Sequence, residues 1–134
     1  MMRKRAAISV LLFVLSGAAG AQSLRDLRAQ DADDRALARE AAYTSKICGR
    51  AIDASIDWRS AADWPEDESL AEACDGALGA VESICRAGKT DVVSAFECAG
   101  DGSGPSLSGS TLRYGATPGR NGYAATLATI GGRD

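Results

Sequence analysis

Apolar residues recur at helical spacing in two consecutive stretches of the chain. In the first stretch, residues 36–58, an apolar line begins at Leu37 and passes through Cys48 at intervals of three and four. The second stretch repeats this spacing with Leu70, Cys74, Ala77, Val81 and Ile84. An apolar stripe of this period is typical of a helix that packs against a core. The pattern therefore predicts two long helices.

Local signals bound the second helix and predict how the chain continues around it. Ser69 and Glu72 match a capping box at its start, and Gly88 suits the position just past its end. An antiparallel hairpin that turns near Ala61 and Ala62 would connect the two helices. Residues 90–100 carry further closely spaced apolar residues and predict a short third helix.

After residue 100 the sequence changes character twice. Residues 101–110 are rich in glycine and serine, which is typical of a flexible linker. Residues 111–131 hold two β-prone runs around a Pro-Gly and an Asn-Gly turn signal, and they predict a β-hairpin. The pattern leaves open whether this hairpin packs on the helices and whether residues 23–34 are ordered.

The expected fold is therefore mainly α, in a single domain. It consists of a disulfide-stapled antiparallel helical hairpin with a short third helix, over residues 22–100, followed by the linker 101–110 and the C-terminal β-hairpin 111–131. We find no internal repeat that would divide the chain differently.

A signal peptide is expected at residues 1–21. Arg3, Lys4 and Arg5 precede the apolar run 6–15, and small residues up to Ala21 supply a cleavage site. The apolar run is shorter than the roughly 20 residues that a helix needs to cross a bilayer. The chain is therefore expected to be periplasmic or secreted, with no integral membrane segment after cleavage.

The predicted mature chain is acidic and poor in large apolar residues. Cleavage would leave 12 basic against 18 acidic residues, a net charge of −6. Such a chain is a poor ligand for nucleic acid or anionic lipid, so neither partner is expected. Of the 113 remaining residues, 17 are Leu, Ile, Val or Phe, below the roughly 20% at which chains become hard to fold. Covalent cross-links are therefore expected to supplement the core.

The candidates for these cross-links are Cys48, Cys74, Cys85 and Cys98. An even number of cysteines in an exported chain indicates structural disulfides. The close C-x-x-C pairs typical of zinc and redox sites are absent from the sequence, as is histidine. No metal and no other cofactor is therefore expected.

Helical geometry favours one pairing of the cysteines. Cys74 and Cys85 lie eleven residues apart on one predicted helix, about 16 Å along its axis, and so cannot bond to each other. The predicted helical hairpin places Cys48 opposite Cys74, which leaves Cys85 for Cys98. A helix break between Gly76 and Gly79, which weaken the helix, would instead permit a Cys74–Cys85 bond.

One short motif suggests chemistry but has a simpler interpretation. Gly88, Lys89 and Thr90 match the tail of a phosphate-binding loop, but Ser83 replaces its first glycine and a helix precedes it. We interpret this segment as a helix end. No catalytic residues are expected, because the commonest general base, histidine, is missing.

The sequence favours a small exported, non-catalytic binding or assembly protein of the cell envelope. A protein partner, or a second copy of the chain, would engage the C-terminal hairpin through residue types common in interfaces. These candidate partner-binding residues are Tyr114, Arg120, Asn121 and Tyr123. The alternative is a small secreted hydrolase that uses paired carboxylates such as Asp63, Glu66 or Glu72.

Overall fold

The structure is a computed structural model that describes the backbone of residues 12–132 and the side chains of residue 24 and residues 26–132. It divides into two compact units, Met1–Asp31 and Ala32–Asp134. In the first unit residues 12–31 are helical, and the helix continues through the segment 23–34 that the sequence leaves open. Residues 1–11 of the predicted signal peptide lie outside the described residues, so its cleavage stays a prediction.

The described chain forms four α-helices and four short strands. In chain order they are α1 (Leu12–Cys48), β1 (Asp53–Asp57), α2 (Leu70–Ala73), α3 (Asp75–Arg86), β2 (Ala95–Ala99), β3 (Gly104–Ser108), β4 (Thr111–Gly115) and α4 (Tyr123–Ile130). A 3₁₀ turn, Trp58–Ala61, follows β1 directly. The strands form one mixed sheet in the order β1-β2-β4-β3. The pairs β1–β2 and β2–β4 are parallel, and the hairpin pair β3–β4 is antiparallel.

The core lies between one face of the sheet and the helices of the second unit. Phe96 and Leu112 point into it from β2 and β4, and Leu37, Val81 and Ile130 enter it from α1, α3 and α4. Each of these five side chains is at most 1% exposed. The alternate strand residues form the opposite, polar face, because side chains on a strand point to the two faces in turn.

The prediction of a mainly helical fold is wrong. The first helix ends at Cys48, and the predicted helical segment beyond it becomes strand β1. The predicted third helix is strand β2, in which Phe96 and Cys98 point inward while Glu97 points outward. This alternation has the period of a strand. A segment of five residues is too short for this period to be distinguished from that of a helix unless the neighbouring strands are known.

The predicted linker and C-terminal hairpin also differ from the structure. Strand β3 occupies part of the linker 101–110, so the hairpin lies earlier in the chain and turns at Gly109, whose φ is +60°. The residues predicted as its second strand form α4 instead. Asn121 Oδ1 accepts a hydrogen bond from the Tyr123 N–H at 2.9 Å, so the Asn-Gly pair starts a helix here.

Both disulfides form, but the favoured pairing is wrong. Cys48 bonds to Cys85, and Cys74 bonds to Cys98. The reason is strand β1, which lies between α1 and α3 in the chain and reverses its direction. Both helices therefore run antiparallel to β1 and β2, and both end on the side of the sheet where these strands begin. Cys48 and Cys85 meet on that side, whereas Cys74 at the start of α3 meets Cys98 near the end of β2.

The predicted signals at the ends of the second helix are confirmed. Ser69 Oγ accepts the Glu72 N–H at the start of α2. After α3, Gly88 adopts a φ of +95°. The Lys89 N–H donates to the Ile84 carbonyl and the Gly88 N–H to the Cys85 carbonyl, which is a Schellman motif. The Lys89 ammonium donates to the Gly131 carbonyl, so in this structure the lysine ties α3 to the end of α4.

Two disulfides favour an oxidising, extracytoplasmic compartment. Within residues 12–132, no helix combines the length and the apolar character of a membrane span.

Candidate functional site

A cleft of about 400 Å³ opens where β3 begins, β4 ends and α4 begins. Its first wall is the start of the hairpin, at Gly102, Gly104 and Pro105, and its second wall is the end of β4, at Tyr114 and Gly115. The loop and first turn of α4, residues 120–125, form the third wall. Ligands of α/β sheets bind at the carboxyl ends of parallel strands, which is the position of this cleft.

The structure brings the four predicted partner-binding residues together, although they do not form the expected hairpin. Tyr114, Arg120, Asn121 and Tyr123 all line the cleft. Tyr114 comes from β4, Arg120 and Asn121 from the following loop, and Tyr123 from the first turn of α4. Asn121 and Tyr123 contact α3, whereas the polar groups of Tyr114 and Arg120 remain available to a ligand.

Asn121 and Tyr123 attach the third wall to helix α3. The Tyr123 hydroxyl shares a 2.7 Å hydrogen bond with Ser83 Oγ, and its ring passes over Gly79. Asn121 lies so close to Gly76 that a Cβ on this glycine would be 2.7 Å from the Asn121 carbonyl oxygen. The absence of side chains at Gly76 and Gly79 therefore lets the third wall pack against α3. Asn121 and Tyr123 fix the position of this wall.

Tyr114 and Arg120 present polar groups that have no protein partner. Tyr114 is 4% exposed, and its hydroxyl makes no hydrogen bond within the part of the chain that the structure describes. The exposed Arg120 forms no ion pair with a described residue. Burial raises the pKa of Tyr114, against the smaller opposite effect of the Arg120 charge, so the hydroxyl stays protonated at neutral pH.

The first turn of α4 adds backbone donors to the same cleft. Gly122 precedes the helix with a φ of +66°, and a Cβ on it would collide with the Tyr114 hydroxyl. Glycine at this position therefore lets the start of α4 approach Tyr114. Ala124 and Ala125 line the cleft. Their N–H groups stand in the turn that lacks intrahelical acceptors, and no other described group accepts from them.

A second polar cluster occupies the outer face of the sheet around Arg113. Its guanidinium donates to Glu97 at 2.9 Å, to Asp101 at 3.0 Å and to Asp57 at 3.2 Å. Ser103 and Arg113 hydrogen bonds, in that order of effect, lower the pKa of Asp101 to about 2. The cluster sets three carboxylates against one guanidinium, and each of these groups already has a partner within it, so it offers a ligand fewer unpartnered groups than the cleft does.

The lowered pKa of Asp101 predicts an acid-sensitive contribution to stability. Because the folded pKa lies below the unfolded value of 3.8, the contribution is present above about pH 4 and is lost as pH falls towards 2. Asp101 is 37% exposed, so screening limits the effect to roughly 1 kcal/mol or less. Thermal melts from pH 2 to pH 7 should show Asp101→Asn less stable than the wild type at neutral pH and equally stable near pH 2. Asp63→Asn, at an exposed aspartate, is the control, and an unchanged Asp101→Asn curve would contradict the prediction.

The carboxylates that the sequence offers for a hydrolase stay apart from the cleft. Asp63, Glu66 and Glu72 are exposed, and their carboxylates make no hydrogen bond or ion pair with a described residue. A pair of carboxylates that the sequence does not reveal is Glu40 on α1 and Asp75 on α3, which lie close enough to influence each other's charge. Burial, followed by the contact with Asp75, raises the pKa of Glu40. The helical pattern of α1 and α3 could not reveal the pair without their relative direction.

Within the described residues, no cluster of cysteine and carboxylate side chains has the arrangement of a metal site. Comparison with protein families, with curated proteins and with solved structures gave no match. The function is therefore inferred from the geometry of the chain itself.

Proposed function

We propose that this chain is a non-catalytic binding protein of the cell envelope, in the periplasm or outside the cell, and that a protein partner engages the cleft beside α4. The observation that carries the proposal is that one cleft holds the Tyr114 hydroxyl, which has no partner among the described residues, and the unpaired Arg120 guanidinium. Both groups open to the cleft, where a bound partner can form hydrogen bonds with them.

The elements that hold Tyr114 and Arg120 favour a binding site over a catalytic site. Tyr114 belongs to a central strand of the sheet, and the Arg120 loop is fixed to α3 by Asn121 and Tyr123. Rigid positioning of a few polar groups is what a recognition site needs. The groups in the cleft donate hydrogen bonds, whereas the carboxylates suited to acid–base catalysis lie elsewhere on the chain.

Affinity capture with a charge reversal tests the proposal. We expect the tagged mature protein to retain a partner from envelope extracts of its own source cells, and Arg120→Glu to lose at least nine tenths of it. Arg59→Glu, at an exposed arginine of the 3₁₀ turn, is the matched control and should retain the partner. Circular dichroism should show all three proteins equally folded.

The contrary outcomes are distinct. Equal capture by wild type and Arg120→Glu would remove the cleft as the binding element. Turnover of glycan or peptide substrates by the pure protein, with no partner captured, would replace the binding protein by a hydrolase. Sedimentation of the pure protein separates a foreign partner from a second copy of the chain.

A further inference from the structure

We infer that the cleft binds a carboxylate group, held by the Tyr114 hydroxyl, the Arg120 guanidinium and the N–H groups of Ala124 and Ala125. This inference rests on the proposed function and names the chemistry that the cleft recognises. Its source would be either a free small carboxylate or a carboxylate carried by the protein partner.

The Tyr114 hydroxyl, the Arg120 guanidinium and the two N–H groups can all donate hydrogen bonds to a ligand. A protonated tyrosine and an arginine donate, and the first-turn N–H groups of a helix donate as well. A ligand that fits them must supply acceptors. Helix N-termini also favour negative charge, and α4 is eight residues long, about two turns in all.

Tyr114 provides the independent indication that this helix start is a ligand site. Only 4% of this residue's surface is exposed. Its hydroxyl has no partner among the described residues and opens to the cleft, where an acceptor on a ligand can take its hydrogen bond. Gly122 removes the side chain that would otherwise fill the space against this hydroxyl.

The charge of the cleft selects a carboxylate over a phosphate dianion. Arg120 contributes one positive charge, and the lining residues include no acidic side chain. One guanidinium neutralises one carboxylate and matches its two oxygens. A phosphate dianion would retain negative charge beside an acidic protein, whose formal net charge is already −3.

A titration with small probes tests the inference on the intact mature protein. Acetate should shift the backbone ¹⁵N–¹H resonances of Gly122, Ala124 and Ala125 in a saturable manner, and inorganic phosphate should bind more weakly. Tyr114→Phe and Arg120→Gln should each weaken acetate binding about tenfold, since each removes a hydrogen bond to a charged group. Tyr43→Phe and Arg59→Gln, at exposed residues outside the cleft, should stay within about twofold of the wild type.

A second measurement separates binding from a structural role. Tyr114→Phe removes a hydroxyl that has no protein partner, so its melting temperature without acetate should equal or exceed that of the wild type. A lowered melting temperature with unchanged acetate affinity would show a structural hydroxyl and overturn the inference. Tighter binding of phosphate than of acetate would overturn the choice of carboxylate.

Two peptides identify the source of the carboxylate. Acetyl-Ala-Ala with a free C-terminus should compete with acetate if a partner presents its chain end, whereas the C-terminal amide should not compete. Competition by neither peptide, with acetate still bound, would assign the cleft to a free small carboxylate. If acetate fails to bind while partner capture still depends on Arg120, the inference fails and the proposed function stands. If acetate binds but capture ignores Arg120, the proposed function fails instead.

Discussion

Replacing Cys74 and Cys98 together by alanine is expected to lower the free energy of unfolding by about 4 kcal/mol. The bond closes a loop of 24 residues, and loop closure of this length is worth roughly 3 kcal/mol in the chain-entropy account. Both sulfurs are fully buried at 0% exposure, so their loss also leaves a cavity between α3 and β2. For a domain of this size, such a loss is a large share of the total stability.

The corresponding Cys48→Ala/Cys85→Ala variant provides the comparison. Its loop of 37 residues is longer, but its sulfurs lie nearer the surface, with exposures of 5% and 8% for the two residues. The longer loop is worth roughly 4 kcal/mol and the smaller cavity adds little, so we expect a total loss of about 4 kcal/mol, close to that of the first variant. Urea unfolding of both variants measures the two losses, and non-reducing peptide mapping checks the pairing. A Cys48–Cys74 peptide would show that the helices form the antiparallel hairpin after all.

The wrong disulfide pairing shows which feature of this fold the sequence pattern could not predict. The presence of disulfides is predicted from the number of cysteines and the expected export of the chain, and it is confirmed. The pairing depends on the relative direction of α1 and α3, which the five-residue strand β1 sets. In β1, Ala54 and Ile56 alternate with Ser55, but Ser55 also continues the helical line from Leu37 and Ile56 widens it. The local pattern therefore cannot decide the direction of the second helix.

For the cleft the reverse holds: four of the residues that line it were singled out from the sequence, but the secondary structure predicted around them is wrong. Tyr114, Arg120, Asn121 and Tyr123 were selected as residue types that make contacts near a turn, and they line one cleft. The prediction placed the turn between two strands. The structure places it between β4 and α4, because the eight residues of α4 gain more by packing on α3 than by pairing with an edge strand. That packing surface is invisible until α3 is in place.

The two glycines of α3 give the second large prediction, because the sequence assigns them the same cost and the structure separates them. Both weaken a helix by about 1 kcal/mol relative to alanine. A Cβ on Gly79 would meet the Tyr123 ring at 3.5 Å, an ordinary contact. A Cβ on Gly76 would lie 2.5 Å from Asn121 Oδ1 and 2.7 Å from its carbonyl oxygen. Backbone cannot move aside as a flexible side chain does, so Gly76 has no room for alanine.

Gly76→Ala is therefore expected to lower the free energy of unfolding by about 2 kcal/mol, since overpacking outweighs the gain in helix propensity. Gly79→Ala, three residues along the same helix, should be neutral or raise it by up to about 1 kcal/mol. Urea unfolding of the two variants measures both signs. Because Asn121 carries the loop that holds Arg120 and Gly122, the Gly76 variant should also weaken acetate binding, while the Gly79 variant should not. Two equally stabilised variants would mean that the loop yields freely and that α3 does not position the cleft.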